Sequence, residues 1–154
     1  MTTSDHSVLT TKDIVVVDLM AETKEEATRA LAQKLVDDGR VTDLEGFLED
    51  VAAREAQLNT GLPGGIGIPH ARSSHVVVPS VAIGTTSKGI PFGAEDGPAH
   101  LIFLIAAPDG AHDEHLHILA ALARKLVHDD FKESLRNAKT PAEIAAIITK
   151  EVQK

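Results

Sequence analysis

His100-Leu101-Ile102-Phe103-Leu104-Ile105-Ala106-Ala107-Pro108 carries no polar residue after its first. A strand with one wet face alternates apolar and polar side chains. This run does not alternate, so it predicts a strand buried on both faces, inside a sheet covered on two sides. Leu101 to Ala107 is also far too short to cross a bilayer as a helix.

Downstream of that strand, PDGAHDEH reads as a loop, followed by a helix from about Asp113 to Val127. Leu116, Leu119, Ala120, Ala123 and Leu126 are its expected buried stripe. A short helical turn near Asp130 to Arg136 and a last helix from Pro141 to Glu151 complete the chain. Upstream, Gly and Pro punctuate short apolar pieces between Leu58 and Gly97 (GLPGGIGIPH, HVVVPSVAIG, GIPFG), which is the grammar of strands and turns. Two helices precede them, at about Lys24 to Asp38 and Asp43 to Ala56. Their stripes are Ala27, Ala30, Leu31, Leu35 and Leu44, Phe47, Leu48, Val51. Three starts share a Thr cap with Glu three residues later: Thr23 with Glu26, Thr42 with Glu45, and Thr140 with Glu143. Pro141 occupies the first helical position of the last, where a missing N–H costs nothing. Gly39 ends the first helix. Ile14 to Val17 is β-branched and reads as the opening strand. Helices and strands mixed in this order predict one α/β sandwich, a mixed central sheet flanked by helices.

The chain has 154 residues, enough for one domain with a real core and too few for two comfortable ones. We expect a single domain over 1–154 with its core at about 13–151. Fifteen basic residues stand against 23 acidic ones, a net charge of −8. Such a surface does not attract phosphate backbones. With no Trp, no Tyr and four Phe, stacking platforms for single-stranded nucleic acid are largely absent as well. Zero cysteines exclude disulfides, thiolate metal sites and a cysteine nucleophile within these residues. MTTSDHSVLTTK has neither the basic start nor the apolar stretch of a signal peptide, so a soluble cytoplasmic protein is expected.

Chemistry concentrates in Gly61-Leu62-Pro63-Gly64-Gly65-Ile66-Gly67-Ile68-Pro69-His70-Ala71-Arg72. The glycines let a ligand or partner approach the backbone, while Pro69 fixes its own φ and restricts Ile68. His70 is thereby expected as a rigid, exposed imidazole at the end of a short strand. A glycine-rich turn with an incidental histidine accounts for the segment equally well, since no GxxxxGK[ST] or helix-opening GxGxxG is present. A rigid imidazole can be a general base, a metal ligand or a nucleophile that is itself modified. No GxSxG supplies a serine for it to activate. His112 and His115 form an H-x-x-H pair around Asp113 and Glu114, but no HExxH and no pair of E-x-x-H motifs is present and no third ligand is set by the sequence, so no metal site is expected. His115 and His117 lie two positions apart on one helix and point nearly opposite ways, so one of them at most serves a given site. His115 falls in the first turn, where the helix dipole favours an anion, beside the buried stripe. It also reads as a boundary histidine with no role. The remaining histidines, His6, His75, His100, His112 and His128, read as surface or strand-end residues. Arg54 can be a cation placed favourably near a helix C-terminus and nothing more.

GLPGGIGIPHAR, with Arg54-Glu55 before it and His115-Leu116-x-x-Leu119-Ala120-x-Leu122-Ala123 after it, resembles the fructose/mannitol-type enzyme IIA domains of the bacterial phosphoenolpyruvate-dependent sugar phosphotransferase system. The likeness runs from the first strand to the last helix, and GLPGG before IGIPHAR resembles the fructose type more than the mannitol type. Gly67 stands where such sequences often carry Ala, a small-for-small change. The resemblance implies a three-layer α/β/α sandwich, phosphotransferase/anion-transport-protein-like, and a phosphoryl carrier that needs no cofactor. It implies that His70 takes a phosphoryl group, at Nε2, from the histidine-containing phosphocarrier protein (HPr). His70 would then pass it to a cysteine of enzyme IIB, which serves the membrane IIC permease in sugar uptake. His115 and Arg54 match positions that would hold the phosphoryl oxygens. Without cysteine these residues contain no IIB acceptor, so the next carrier is another chain or a further domain. Two other functions remain open from the sequence: a nitrogen-type regulatory IIA protein that signals through protein binding, and a metal-dependent hydrolase using the histidine cluster.

Overall fold

The computed structural model describes residues 9–57, 61–62, 64–94, 97–109 and 112–152. A 3-10 turn, Lys12–Ile14, leads into β1 (Val15–Val16), α1 (Lys24–Asp37) and α2 (Leu44–Gln57). Then come β2 (Gly61–Leu62), β3 (Ile66–Gly67), β4 (His70–Ser73), β5 (Ser80–Ile90) and β6 (Ala99–Pro108). Three helices follow: α3 (His112–Leu126), α4 (Asp129–Asn137) and α5 (Pro141–Glu151).

The sheet runs β1-β5-β6-β3-β2, with β4 also paired to β6. β5 and β6 are antiparallel, whereas β1 lies parallel to β5, and β3 and β4 lie parallel to β6. The sheet is therefore mixed. The unalternating run forms β6 and is buried on both faces, as its composition predicts. Ile102, Leu104 and Ala106 join one core with Leu31, Leu35, Phe47 and Val51 of α1 and α2. Leu101, Phe103 and Ile105 join the other, with Leu122, Leu126, Phe131, Leu135, Ile144 and Ile148 of α3, α4 and α5. Helices cover both faces, so the three-layer α/β/α arrangement holds.

Local grammar decides most helix ends. Thr23 Oγ1 accepts from the Glu26 N–H at 3.1 Å, and Thr140 Oγ1 from the Glu143 N–H at 3.2 Å. Gly39 follows α1 with φ of 76°, a left-handed conformation that glycine adopts without penalty. The Thr42 cap is corrected. Asp43 Oδ1 receives the Gly46 N–H at 3.3 Å, while the Thr42 hydroxyl donates to the His75 carbonyl at 3.2 Å. Two adjacent cap-type residues offered the same helix a start, and the tertiary partner at His75 drew the first one away.

Other expectations shift for similar reasons. Ile14 belongs to the 3-10 turn, its N–H bonded to the Thr11 carbonyl at 3.1 Å, so the strand keeps only Val15 and Val16. Val76 to Val78 stay outside the sheet ladder apart from an isolated Val41–Val76 bridge, and β5 begins only after Pro79. The turn expected near Asp130 is a full nine-residue helix, α4. On α3, Ala120 and Ala123 are exposed while Leu122 and Leu126 are buried. Alanine suits any helix face, so it marked the stripe poorly. The side chains of Leu116 and Leu119 lie outside the described residues.

One buried ion pair had no signature in the pattern. Arg40 is fully buried; its Nε donates to Asp38 Oδ2 at 2.6 Å and its Nη1 to Ser80 Oγ at 3.1 Å. It ties the exit of α1 to the start of β5. Removing one partner of such a pair strands the other, at a cost of about 3–5 kcal/mol.

Candidate functional site

β3 and β4 run in succession along the same side of β6, interrupted by Ile68-Pro69; β2 pairs outside β3, and β4 is left as an edge. Gly67 registers with Ile102 and His70 with Ile105, so both stretches keep step along β6. Pro69 has no N–H to donate, and an edge strand is where a sheet tolerates that loss. Its carbonyl still accepts from the Ile105 N–H at 3.0 Å. Ahead of this edge, β2 and β3 pair as a hairpin whose turn holds Gly64 at φ 95° and Gly65 at φ 78°. Only glycine visits such angles readily, which explains the paired glycines there.

Phe92 wedges this hairpin from beneath. Its carbonyl accepts the Gly61 N–H at 3.1 Å, and its ring is buried against Gly67. A Cβ on Gly67 would stand 2.8 Å from that ring. Gly67 is thus more than a small-for-small exchange: an alanine here needs the ring to move.

His70 opens β4 rather than ending a strand, and it is buried, with 9% of its surface exposed. The expected exposed imidazole is corrected on that point. Its Nδ1 lies 2.8 Å from the Ile68 carbonyl. A carbonyl only accepts, so Nδ1 carries the proton and the basic lone pair of the neutral ring sits on Nε2. Burial holds the pKa below the usual 6.5, the Ile68 bond opposes that, Arg54 adds to the lowering and Glu55 works against it. The ring is accordingly neutral near pH 7.

Those last two charges come from the final turn of α2, so the fold brings Arg54 and Glu55, 16 and 15 positions earlier in the chain, to His70. Arg54 is half-buried. Glu55 is held by Lys24 of α1, Nζ to Oε2 at 3.6 Å. His115 lies in the first turn of α3, and its side chain is outside the described residues. The exposed His117 is on the same helix. The parallel register puts His70 on the face of Ile105, whose side chain shares a core with Leu122 and Leu126 of α3. His115 precedes Leu122 by seven positions and Leu126 by eleven, both near whole numbers of turns.

Neither Asp50 nor Ser73 stood out in the sequence, yet they bind α2 to β4. Ser73 Oγ donates to Asp50 Oδ2 at 2.5 Å, and Ser73 is buried. The one signal for Asp50 was its place a turn before Arg54. Among the described residues no group of three or more His, Asp or Glu side chains is set to hold a metal ion. The side chains of His112 and His115 lie outside that set. Among the described residues, too, no helix is long and apolar enough to cross a membrane.

A buried neutral imidazole with its lone pair fixed on one nitrogen and a guanidinium close by can attack an electrophile and receive an anion. Residues 8–151 match the family model described as "Phosphoenolpyruvate-dependent sugar phosphotransferase system, EIIA 2". The chain is 36% identical over 154 residues to the PTS system fructose-specific EIIA component of Haloferax volcanii, covering 99% of this chain and all of that protein. It is 33% identical over 141 residues to the PTS system fructose-specific EIIABC component of Bacillus subtilis, covering 91% of this chain but 22% of that longer protein. The crystal structure of nitrogen regulatory protein IIA-Ntr from Neisseria meningitidis superposes with a TM-score of 0.83 at 30% identity, covering 92% of this chain and 97% of that one.

Proposed function

The chain belongs to the EIIA type-2 family of the phosphoenolpyruvate-dependent sugar phosphotransferase system, and within it we propose that His70 is the phosphoryl carrier. The observation that carries this assignment is a buried imidazole with the charge of Arg54 brought to it from another element. Its Nδ1–H bond to the Ile68 carbonyl at 2.8 Å leaves the nucleophilic lone pair on Nε2. The Nε2 pair attacks phosphorus on the phosphohistidine of the histidine-containing phosphocarrier protein. As the new N–P bond forms, the donor's N–P bond breaks and its electrons return to the donor imidazole. In the second half, a cysteine thiolate of enzyme IIB attacks the same phosphorus and the His70 N–P bond breaks. Little covalent chemistry is asked of the protein; positioning and charge stabilisation supply the rate.

Arg54 meets the phosphoryl oxygens with two planar donors, and its charge near His70 supports that role. His115 supplies a further donor from the first turn of α3, where the helix dipole also favours an anion. Support for His115 is its position: it shares the phase of Leu122 and Leu126, on the side of the sheet that His70 faces. Residues 13–151 act as one carrier unit in the cytoplasm, with IIB and the IIC permease as onward partners. The EIIABC name of the Bacillus subtilis relative, which joins A, B and C, supports that assembly.

The sugar is fructose on this reading, supported by the Haloferax volcanii relative. The nitrogen regulatory likeness favours a second reading, in which phosphorylated His70 signals through protein binding and needs no sugar-specific IIB. Two measurements test these. Phosphoenolpyruvate, enzyme I and the phosphocarrier protein are mixed with this chain and its mass is followed. One acid-labile phosphoryl group is expected, and its retention by His70→Ala would sink the carrier assignment. The phosphorylated chain is then mixed with a fructose IIB. Discharge supports transport, and no discharge moves the protein to the regulatory class.

A further inference from the structure

Arg54 stands at the end of a helix whose hold on the sheet is polar as well as apolar. Asp50 lies one turn before Arg54 on α2, half-buried, and accepts the Ser73 hydroxyl at 2.5 Å. That length is typical of an O–H donating to an ionised carboxylate, one of the stronger hydrogen bonds a protein makes. The same Ser73 oxygen accepts the His75 N–H at 3.2 Å, so both its donor and acceptor directions are committed. Ser73 closes the four-residue strand that His70 opens. The helix is tied elsewhere too: at its entry the Thr42 N–H and hydroxyl both reach the His75 carbonyl, at 2.8 and 3.2 Å, and Glu45 and Glu55 pair with Arg29 and Lys24 of α1. The bond to Ser73, however, is made to β4 itself. Around the helix middle Phe47 and Val51 are buried, but apolar contacts permit sliding that a short, directional bond forbids.

We infer that Asp50 is a positioning residue for phosphoryl transfer: its bond to Ser73 sets how far along β4 the α2 helix sits, and so where Arg54 meets the group on His70. The inference rests on Arg54 acting at His70. From Asp50 to Arg54 the helix rises about 6 Å, and from Ser73 to His70 the strand runs about 10 Å. A loss of registry at the bond therefore passes to the guanidinium over little more than one helical turn. Misplacement by about 1 Å is enough to slow a positioned reaction by up to about 100-fold.

The test is a double-mutant cycle in the full chain, with phosphoryl transfer from the phosphorylated phosphocarrier protein as one readout and thermal melting as the other. Asp50→Ala is expected to slow transfer by about 10- to 100-fold. In an Arg54→Ala background the same change is expected to slow transfer no further, while lowering the melting temperature as much as it does alone. That divergence is what a merely structural role would not produce. Equal slowing in both backgrounds would overturn the inference, because Asp50 would then act on something other than Arg54. Asp50→Ala at the wild-type rate beside a slow Arg54→Ala would also overturn it and leave the site assignment standing. A wild-type rate for Arg54→Ala would instead remove Arg54 from the site, and the positioning role with it. Should Asp50→Ala not fold, Asp50→Asn completes the same cycle, since the amide keeps an acceptor oxygen in the same shape. Its expected slowing is a few-fold in the wild-type background and absent beside Arg54→Ala.

Discussion

His70 and His100 lie on paired strands, β4 and β6, and each brings Nδ1 against a backbone carbonyl: Ile68 at 2.8 Å and Thr86 at 3.0 Å. Both follow a proline by one or two residues and both lie near glycine-rich turns. Their surroundings differ. His70 is buried, and the charges of Arg54 and Glu55 reach it from another element. His100 is half-buried on the wall of a wide cleft shared with Asp18, Thr86, Arg136 and Lys139. There Arg136 is occupied with the turn itself, Nη2 donating to the Gly64 carbonyl at 2.6 Å. A tautomer-fixing bond is therefore common and marks no site alone. Burial together with a cation brought in by the fold is what separates the two rings.

That contrast predicts its sharpest result in a paired substitution. His70→Gln is expected to fold normally and accept no phosphate, whereas His100→Gln accepts phosphate at the wild-type rate; mass measurement after incubation with the phosphorylated carrier checks both. Marked unfolding of His70→Gln would mean that the buried ring is structural. The α3 helix offers the next pair. His115→Ala should slow transfer by about 10- to 1000-fold, the range for one preorganised donor, while the exposed His117→Ala does almost nothing. Sensitivity at 117 would show that the helix phase was misjudged.

The two arginines give a smaller contrast. Arg54→Lys keeps the charge but loses the planar pair of donors, and transfer should slow on the order of tenfold with little change in melting temperature. Arg136→Lys should transfer normally and lose at most about 1 kcal/mol in urea unfolding, through its bond to the Gly64 turn. The smallest effect is in pH. Burial lowers the folded pKa of His70 below the ordinary 6.5, so the unfolded chain binds its proton first as pH falls. Stability from this group is full above the unfolded value and declines as pH drops through the depressed folded one. Ring-nitrogen chemical shifts followed by NMR should place the His70 midpoint below 6.5, with phosphoryl acceptance falling off over the same range. A midpoint above 6.5 would contradict the burial seen here.

Local rules were legible wherever one residue type has a single job. Thr23 and Thr140 capped their helices, Gly39 ended α1, and the apolar run of β6 announced a strand inside a covered sheet. The glycine-rich stretch ahead of His70 was visible for the same reason, since positive φ and close packing against Phe92 leave few alternatives to glycine. Ambiguity entered where two residues could do one job. Thr42 and Asp43 competed for a cap, and Ala120 and Ala123 suited either face of α3.

By itself the sequence determined the layer order, the helix limits to within a residue or two, and which histidine stands behind the rigid Ile68-Pro69 step. Those properties depend on neighbours within about one turn of helix or a few residues of strand. Only the tertiary structure decided that His70 is buried, that its proton lies on Nδ1, and that Arg54 and Glu55 act on it. It alone joined Asp50 to Ser73 and enclosed Arg40 with Asp38 and Ser80. Desolvation and charge proximity depend on distance in space, and no periodicity along the chain encodes which distant segments will share a few ångströms.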